Sequence, residues 1–216
     1  MAKYPIFLEL TGRRVVLIGG GAVAVRKAQA LLAAGARLVV VAEKLNEVLT
    51  DQCTDSGAEL IRSRYSKDYL AGAVLAIAAT NNQQLNRRIY QDCQELEILC
   101  NVVDQPELCD FFVPAVLQRG DLQIAVGTEG HCPAYAGHIR KKLEQVFTKK
   151  HGEFLAELEA LRERVIKNVT DPAARKALLG KLVDDESFKY FVQHGSDAWR
   201  DRAGKNIAKA GSKHGA

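Results

Sequence analysis

The stretch Arg14-Val15-Val16-Leu17-Ile18-Gly19-Gly20-Gly21-Ala22-Val23-Ala24 decides the fold. It reads as a short apolar strand, a glycine turn and a helix that opens at once, from Ala22 to Ala34, and stops before Gly35. The turn fits G-x-G-x-x-A. That pattern is weak alone, but a strand before it and a helix after it supply the context its chemistry requires. Gly19 permits the tight turn, Gly21 lets the backbone approach a pyrophosphate, and Ala24 lets helix and strand pack closely. With Gly20, Ala22 and Val23, the turn presents free N–H groups at a helix N-terminus, where phosphates bind.

Outward from the turn, apolar runs and helical stretches alternate. Leu38 to Val41 is a second strand, Leu45 to Cys53 a helix, Glu59 to Ile61 a weaker strand and Val74 to Ala78 a fourth. Leu85 to Leu96 reads as helix and Ile98 to Val103 as a fifth strand. Continuously apolar strands between amphipathic helices indicate an α/β fold, a Rossmann-type doubly wound parallel sheet covered on both faces. After Asp104 the pattern changes. Ala115 to Leu117 and Leu122 to Val126 flank the turn Gln118-Arg119-Gly120-Asp121 as a hairpin. Pro133 then opens a mostly helical region, in which Phe154, Leu155, Leu158, Leu161 and Val165 form one apolar stripe. Asp171-Pro172 breaks that helix and starts another. The expected organisation is a nucleotide-binding unit over 1–112, a small hairpin-and-helix segment over 113–148, a helical domain over 149–198 and a basic, disordered tail over 199–216.

Glu43 lies 24 residues after Gly19, just past the second strand. A carboxylate there accepts hydrogen bonds from a ribose diol and repels the 2′-phosphate of NADP. No arginine follows closely, although Lys44 weakens the exclusion, so the expected cofactor is NAD. There is no Tyr-x-x-x-Lys for a short-chain dehydrogenase relay and no G-x-x-x-x-G-K-[ST] for a P-loop. Ligands of open α/β sheets sit at the C-terminal edge of the strands, which is where Thr80-Asn81-Asn82 and Asn101-Val102-Val103-Asp104 end. Hydride transfer needs a proton acceptor, and Asp104 could serve. It reads equally well as a turn residue before Pro106 or as a helix cap.

Taken together these residues resemble the precorrin-2 dehydrogenase family, the N-terminal part of siroheme synthases. The resemblance begins at Tyr4-Pro5-Ile6-Phe7-Leu8-Glu9-Leu10, runs through Val16 to Lys27, and returns at Ala76 to Asn82, at Cys100 to Asp104, at Pro114-Ala115 and at Ile139 to Glu144. It implies NAD-dependent oxidation of precorrin-2 to sirohydrochlorin, with Asp104 as the essential aspartate. NAD contacts fall on Gly19 to Val23, Glu43 and Lys44, with Thr80 and Asn81 at the same edge. Asn101, Thr128, Gly130, His131 and Arg140 are the matching substrate contacts, and residues 113–146 match the segment that joins a homodimer. Some members also insert Fe2+, so iron is a second candidate substrate. The polycarboxylate substrate is consistent with the cations Arg140, Lys141, Lys142, Lys149 and Lys150, which read equally as a solvated face.

The chain departs from the family in one loop. Where members carry a Gly-Gly-x-Ser-Pro-like run, it has Gly127-Thr128-Glu129-Gly130-His131-Cys132-Pro133. His131-Cys132 lacks further ligands at metal spacing, so no bound metal is expected. A non-catalytic NAD-sensing module is the reading of another class, and it leaves Asp104 without a task.

Composition fits a soluble protein with a sizeable core, at 216 residues, 47% hydrophobic and 26% charged. No apolar run nears a membrane span, and the start has no apolar leader, so the expectation is a cytoplasmic protein without a membrane partner. The five cysteines contain no Cys-x-x-Cys and are expected to be reduced. Residues 199–216 carry Arg200, Arg202, Lys205, Lys209 and Lys213 against Asp201, which accounts for the whole net charge of +4. No aromatic follows Trp199 to stack on bases, so no nucleic acid is expected. A methyltransferase, fused in some siroheme synthases, is not in the sequence, and another protein is expected to supply precorrin-2.

Overall fold

The computed structural model describes residues 3–212 and divides into two units, Met1–Val113 and Pro114–Ala216. Residues 1–2 of the expected leaderless start and 213–216 of the expected tail, Lys213 among them, lie outside the described residues.

The first unit is a five-stranded parallel sheet, β1 (Arg14–Ile18), β2 (Arg37–Val41), β3 (Glu59–Ile61), β4 (Leu75–Ala78) and β5 (Leu99–Val102), in the order β3-β2-β1-β4-β5. This is the doubly wound arrangement that the alternating pattern predicts. Helices α1 (Ala22–Ala33) and α2 (Glu47–Ser56) contribute Ala24, Ala28, Leu31, Leu49 and Cys53 to one core with Val15, Leu17, Leu38 and Val40. The alternate strand residues Val16, Ile18, Val39 and Val41 form a second core with Ile89 and Cys93 of α3 (Gln83–Glu95). The central strands β1, β2 and β4 are therefore apolar beyond their first residues, because both faces are buried.

Two helix starts differ from expectation because asparagines cap them. Asn46 accepts from the Val48 N–H at 2.9 Å, so α2 begins at Glu47 and leaves Leu45 outside. Asn82 accepts from the Leu85 N–H at 3.1 Å and starts α3 at Gln83. Between β3 and β4 the chain makes only a 3₁₀ turn, Lys67–Leu70.

The second unit opens with the hairpin β6 (Ala115–Arg119) and β7 (Leu122–Val126), followed by α4 (Pro133–Val146), α5 (Lys149–Asn168), α6 (Pro172–Leu182) and α7 (Asp185–Ser212), the last broken at Gly195. Phe154, Leu161 and Val165 of the predicted stripe pack with Leu178, Leu182, Phe191 and Trp199. The expectation of a disordered tail from residue 199 is corrected. Residues 199–212 are helix, and Trp199, Ala203 and Ile207, four apart, are buried in this core. Trp199, Ala203 and Ile207 share one helical face, and Arg200, Arg202, Lys205 and Lys209 are exposed to solvent.

Candidate functional site

At the C-terminal edge of the first unit's sheet lies a cleft of about 500 Å³, lined by the ends of β1, β2 and β4 and the loop after β3. Its size suits a small-molecule site. Gly19, Gly20, Gly21, Glu43, Lys44, Thr80 and Asn81 all line it, so the fold gathers seven predicted cofactor residues around one space. Ala22 and Val23 are the first two residues of α1.

The glycines divide the work. Gly19 has φ +128°, and a Cβ on Gly20 would stand 2.0 Å from the Lys44 carbonyl oxygen. The Asn46 N–H donates to the Gly20 carbonyl at 2.9 Å, and the Gly19 N–H donates to Val41 at 2.9 Å. These contacts sew the turn to the end of β2. A Cβ on Gly21, by contrast, would meet nothing within 4 Å. Gly21 is also the N-cap of α1, with no side-chain cap and no acid in the first turn. Ala22 and Val23 therefore offer N–H groups without an acceptor among the described residues, beside open space at the positive end of a helix. The donor set and the space both fit a pyrophosphate.

The far wall is charged. Glu43 is paired through Oε1 with Nε of Arg64 at 3.0 Å, and both side chains are largely exposed. The sequence reading finds no arginine close after Glu43. The fold supplies one 21 residues on, because β3 lies beside β2 and both strands end at the same edge. Ser63, Tyr65, Asn46, Leu45 and Leu85 are further lining residues that the sequence reading missed. The Tyr65 hydroxyl donates to Asp92 Oδ2 of α3 at 2.9 Å. Burial and this carboxylate push it above the ordinary tyrosine range, so it stays protonated.

Thr80 turns its hydroxyl inward, donating to Oδ1 of the buried Asn86 at 2.6 Å, while the Asn86 amide donates back to the Thr80 carbonyl at 3.0 Å. Thr80 thus fixes the loop, and the exposed Asn81 beside it faces solvent.

Asp104 is not among the lining residues. It follows β5, exposed, at φ 60°, a left-handed conformation that costs a non-glycine residue roughly 1–3 kcal/mol. Its carboxylate has no hydrogen bond or ion pair among the described residues. Lys27 of α1 feels the Asp104 carboxylate electrostatically. Burial pushes this half-buried ammonium below the usual lysine range and Arg26 adds to that, while Cys109 and Asp104 oppose it.

Asn101, expected as a substrate contact, is engaged within the first unit. It is 7% exposed, and its amide donates to the Phe111 carbonyl at 2.9 Å and to Cys109 Sγ at 3.4 Å. Its position inside β5 commits it to holding the following loop. Thr128, Gly130, His131 and Arg140 belong to the second unit. There Thr128 Oγ1 accepts from the Cys132 N–H at 3.3 Å, the His131 N–H donates to the Thr128 carbonyl at 2.8 Å, Gly130 has φ +83°, and Arg140 is paired with Glu144 one helical turn on. No group of three or more His, Cys, Asp or Glu suited to a metal ion occurs among the described residues. No helix among them is long and apolar enough to cross a membrane.

Residues 6–115 match a family model described as "Putative NAD(P)-binding". A siroheme synthase of Azotobacter vinelandii is 38% identical over 176 residues, covering 82% of this chain and 38% of that protein. One from Chromobacterium violaceum is 35% identical over 212 residues, covering 98% of this chain and 45% of that protein. The chain thus spans about two fifths of the length of the curated relatives it matches. Among solved structures, one titled "SirC, precorrin-2 dehydrogenase" superposes with a TM-score of 0.78 at 22% identity, covering 94% of this chain and all of the other, which establishes the shared fold.

Proposed function

The chain belongs to the NAD(P)-binding family that its residues 6–115 match, and from that premise we propose that it is an NAD-dependent precorrin-2 dehydrogenase acting in sirohaem formation. The observation that carries the reading is the open backbone at Gly21, beside uncapped N–H groups, in one cleft with Glu43. The tetrapyrrole substrate is supported by the relatives named siroheme synthase and by the fold shared with a precorrin-2 dehydrogenase.

Oxidation of precorrin-2 removes two hydrogens from the macrocycle. Bound NAD supplies the acceptor for the hydride, and a base must take the proton. The N–H groups of Gly21, Ala22 and Val23 bind the pyrophosphate, Glu43 accepts from the adenosine ribose, and Asn81 borders the same edge. The order β3-β2-β1-β4-β5 puts Asn81 and Asp104 on the side of the turn opposite Glu43. In this reading Asp104, whose carboxylate makes no hydrogen bond or ion pair among the described residues, takes the proton or orients the substrate. Arg140 of the second unit, paired with Glu144, is the proposed contact for a substrate carboxylate.

The proposal includes a cytoplasmic homodimer. The five free cysteines fit a reducing compartment. Val116, Tyr135 and Val146 of the second unit are exposed apolar residues within the segment that the family resemblance gives to the dimer. Sedimentation at micromolar concentration tests that part, and a monomer would refute it.

The deciding experiment is incubation with NAD and enzymatically made precorrin-2, following macrocycle absorbance and NADH together. Equal, simultaneous changes are expected. Binding of NAD without oxidation would replace the enzyme with a sensing module. A parallel assay with sirohydrochlorin and Fe2+, without NAD, reports whether iron is also a substrate.

A further inference from the structure

At the far wall of the cleft, the carboxylate that reads the ribose is not alone. Glu43 Oε1 is held at 3.0 Å by Nε of Arg64. This geometry engages one carboxylate oxygen and leaves Oε2 available to a ribose hydroxyl. It also leaves the terminal nitrogens of Arg64 without a hydrogen-bond partner among the described residues, in a side chain that is 89% exposed. Lys44, next in sequence, lines the same cleft.

The loop that carries Arg64 is anchored on both sides. The Ser63 N–H donates to the Ile61 carbonyl at 3.1 Å, and the Tyr65 hydroxyl bonds to Asp92. Arg64 is therefore delivered to this wall by the fold, and only its side chain is free to turn.

A 2′-phosphate would bring about two negative charges to this wall. Glu43 opposes them, but Arg64 and Lys44 together outweigh it, and a guanidinium fork matches phosphate oxygens in pairs. An acid alone selects NAD, and an arginine nearby accommodates NADP. Here the two sit in one ion pair.

We propose that Arg64 is a specificity-determining residue that opens the ribose site to NADP, so that the chain binds both dinucleotides with NAD only modestly preferred. The inference rests on the dinucleotide reading of the cleft. With NAD, Arg64 holds Glu43 toward the ribose. With NADP, it releases the carboxylate and takes the phosphate.

Direct binding separates this inference from the catalytic reading, because no tetrapyrrole is needed. Dissociation constants for NAD and NADP are measured by calorimetry on the full chain and on Arg64→Ala and Arg64→Lys. The expected result is NADP binding within about tenfold of NAD. Arg64→Ala should weaken NADP about tenfold and NAD less than about threefold, with Arg64→Lys in between. Salt should weaken NADP more steeply than NAD in the unaltered chain, and that excess should shrink in Arg64→Ala, where Lys44 alone remains. Equal weakening of both cofactors by Arg64→Ala would reduce Arg64 to a positioning residue for Glu43 and overturn the proposal. So would rejection of NADP by more than about a hundredfold in the unaltered chain. Binding of neither dinucleotide would overturn the cleft assignment itself, and this inference with it.

Discussion

The two units use their apolar residues in opposite ways. In the first, small and β-branched side chains seal both faces of a sheet, and the backbone at the strand ends is left to make a site. In the second, one aromatic cluster around Phe154, Phe191 and Trp199 holds three helices. The hairpin and α4 meanwhile keep Val116, Tyr135 and Val146 exposed. The contrast teaches that a site made of peptide groups is as rigid as its sheet, whereas a surface made of side chains takes its meaning from what it meets.

The most damaging change should be Asp104→Ala in the first unit. Turnover is expected to fall about a thousandfold while NAD affinity, measured by calorimetry, stays within twofold or so. Retained turnover would remove chemistry from the first unit's edge. Next in size is Trp199→Ala in the second unit. It deletes a side chain that is 1% exposed together with its 2.8 Å bond to Ser187, at an expected cost of about 3–5 kcal/mol. Urea unfolding followed by far-ultraviolet circular dichroism reads it. A cost below about 1 kcal/mol would mean that the region 199–212 is dispensable to the core.

A paired test sharpens the role of the backbone. Gly20→Ala drives a Cβ into the Lys44 carbonyl and should lower stability by roughly 1–3 kcal/mol, with loss of dinucleotide binding. Gly21→Ala meets open space, so it should leave the melting temperature unchanged and weaken NAD about tenfold by crowding the phosphate. Equal behaviour of the two would show that the turn serves packing alone. The smallest effect is expected at a helix start in the second unit. Asp171→Ala removes the 2.7 Å bond from the Ala174 N–H and should cost about 1 kcal/mol, seen as a small shift in the urea midpoint.

Much of the first unit was legible because its signals are local. An apolar strand, three glycines and an alanine-rich helix fix their own turn within a dozen residues. The strand-edge rule then carries Glu43, Thr80 and Asn81 to the same cleft. The bonds that Asn101 makes to Cys109 and Phe111 were not legible, because they join residues eight and ten positions apart that meet only once the loop after β5 folds back. The tail was misjudged because its charge and glycine content dominate composition, while Trp199, Ala203 and Ile207 align only once the chain is wound as a helix.

The sequence by itself determined the strand–turn–helix unit, the parallel sheet and the acid at the end of β2, since each follows from steric and hydrogen-bonding rules acting over a few residues. Only the tertiary structure decided that Arg64 faces Glu43, that Thr80 spends its hydroxyl on Asn86, and that Asp104 is not among the residues lining the cleft. Those facts depend on which strands lie side by side. Strand order is set by burying both faces of the whole sheet, a condition that no short stretch of the chain can express.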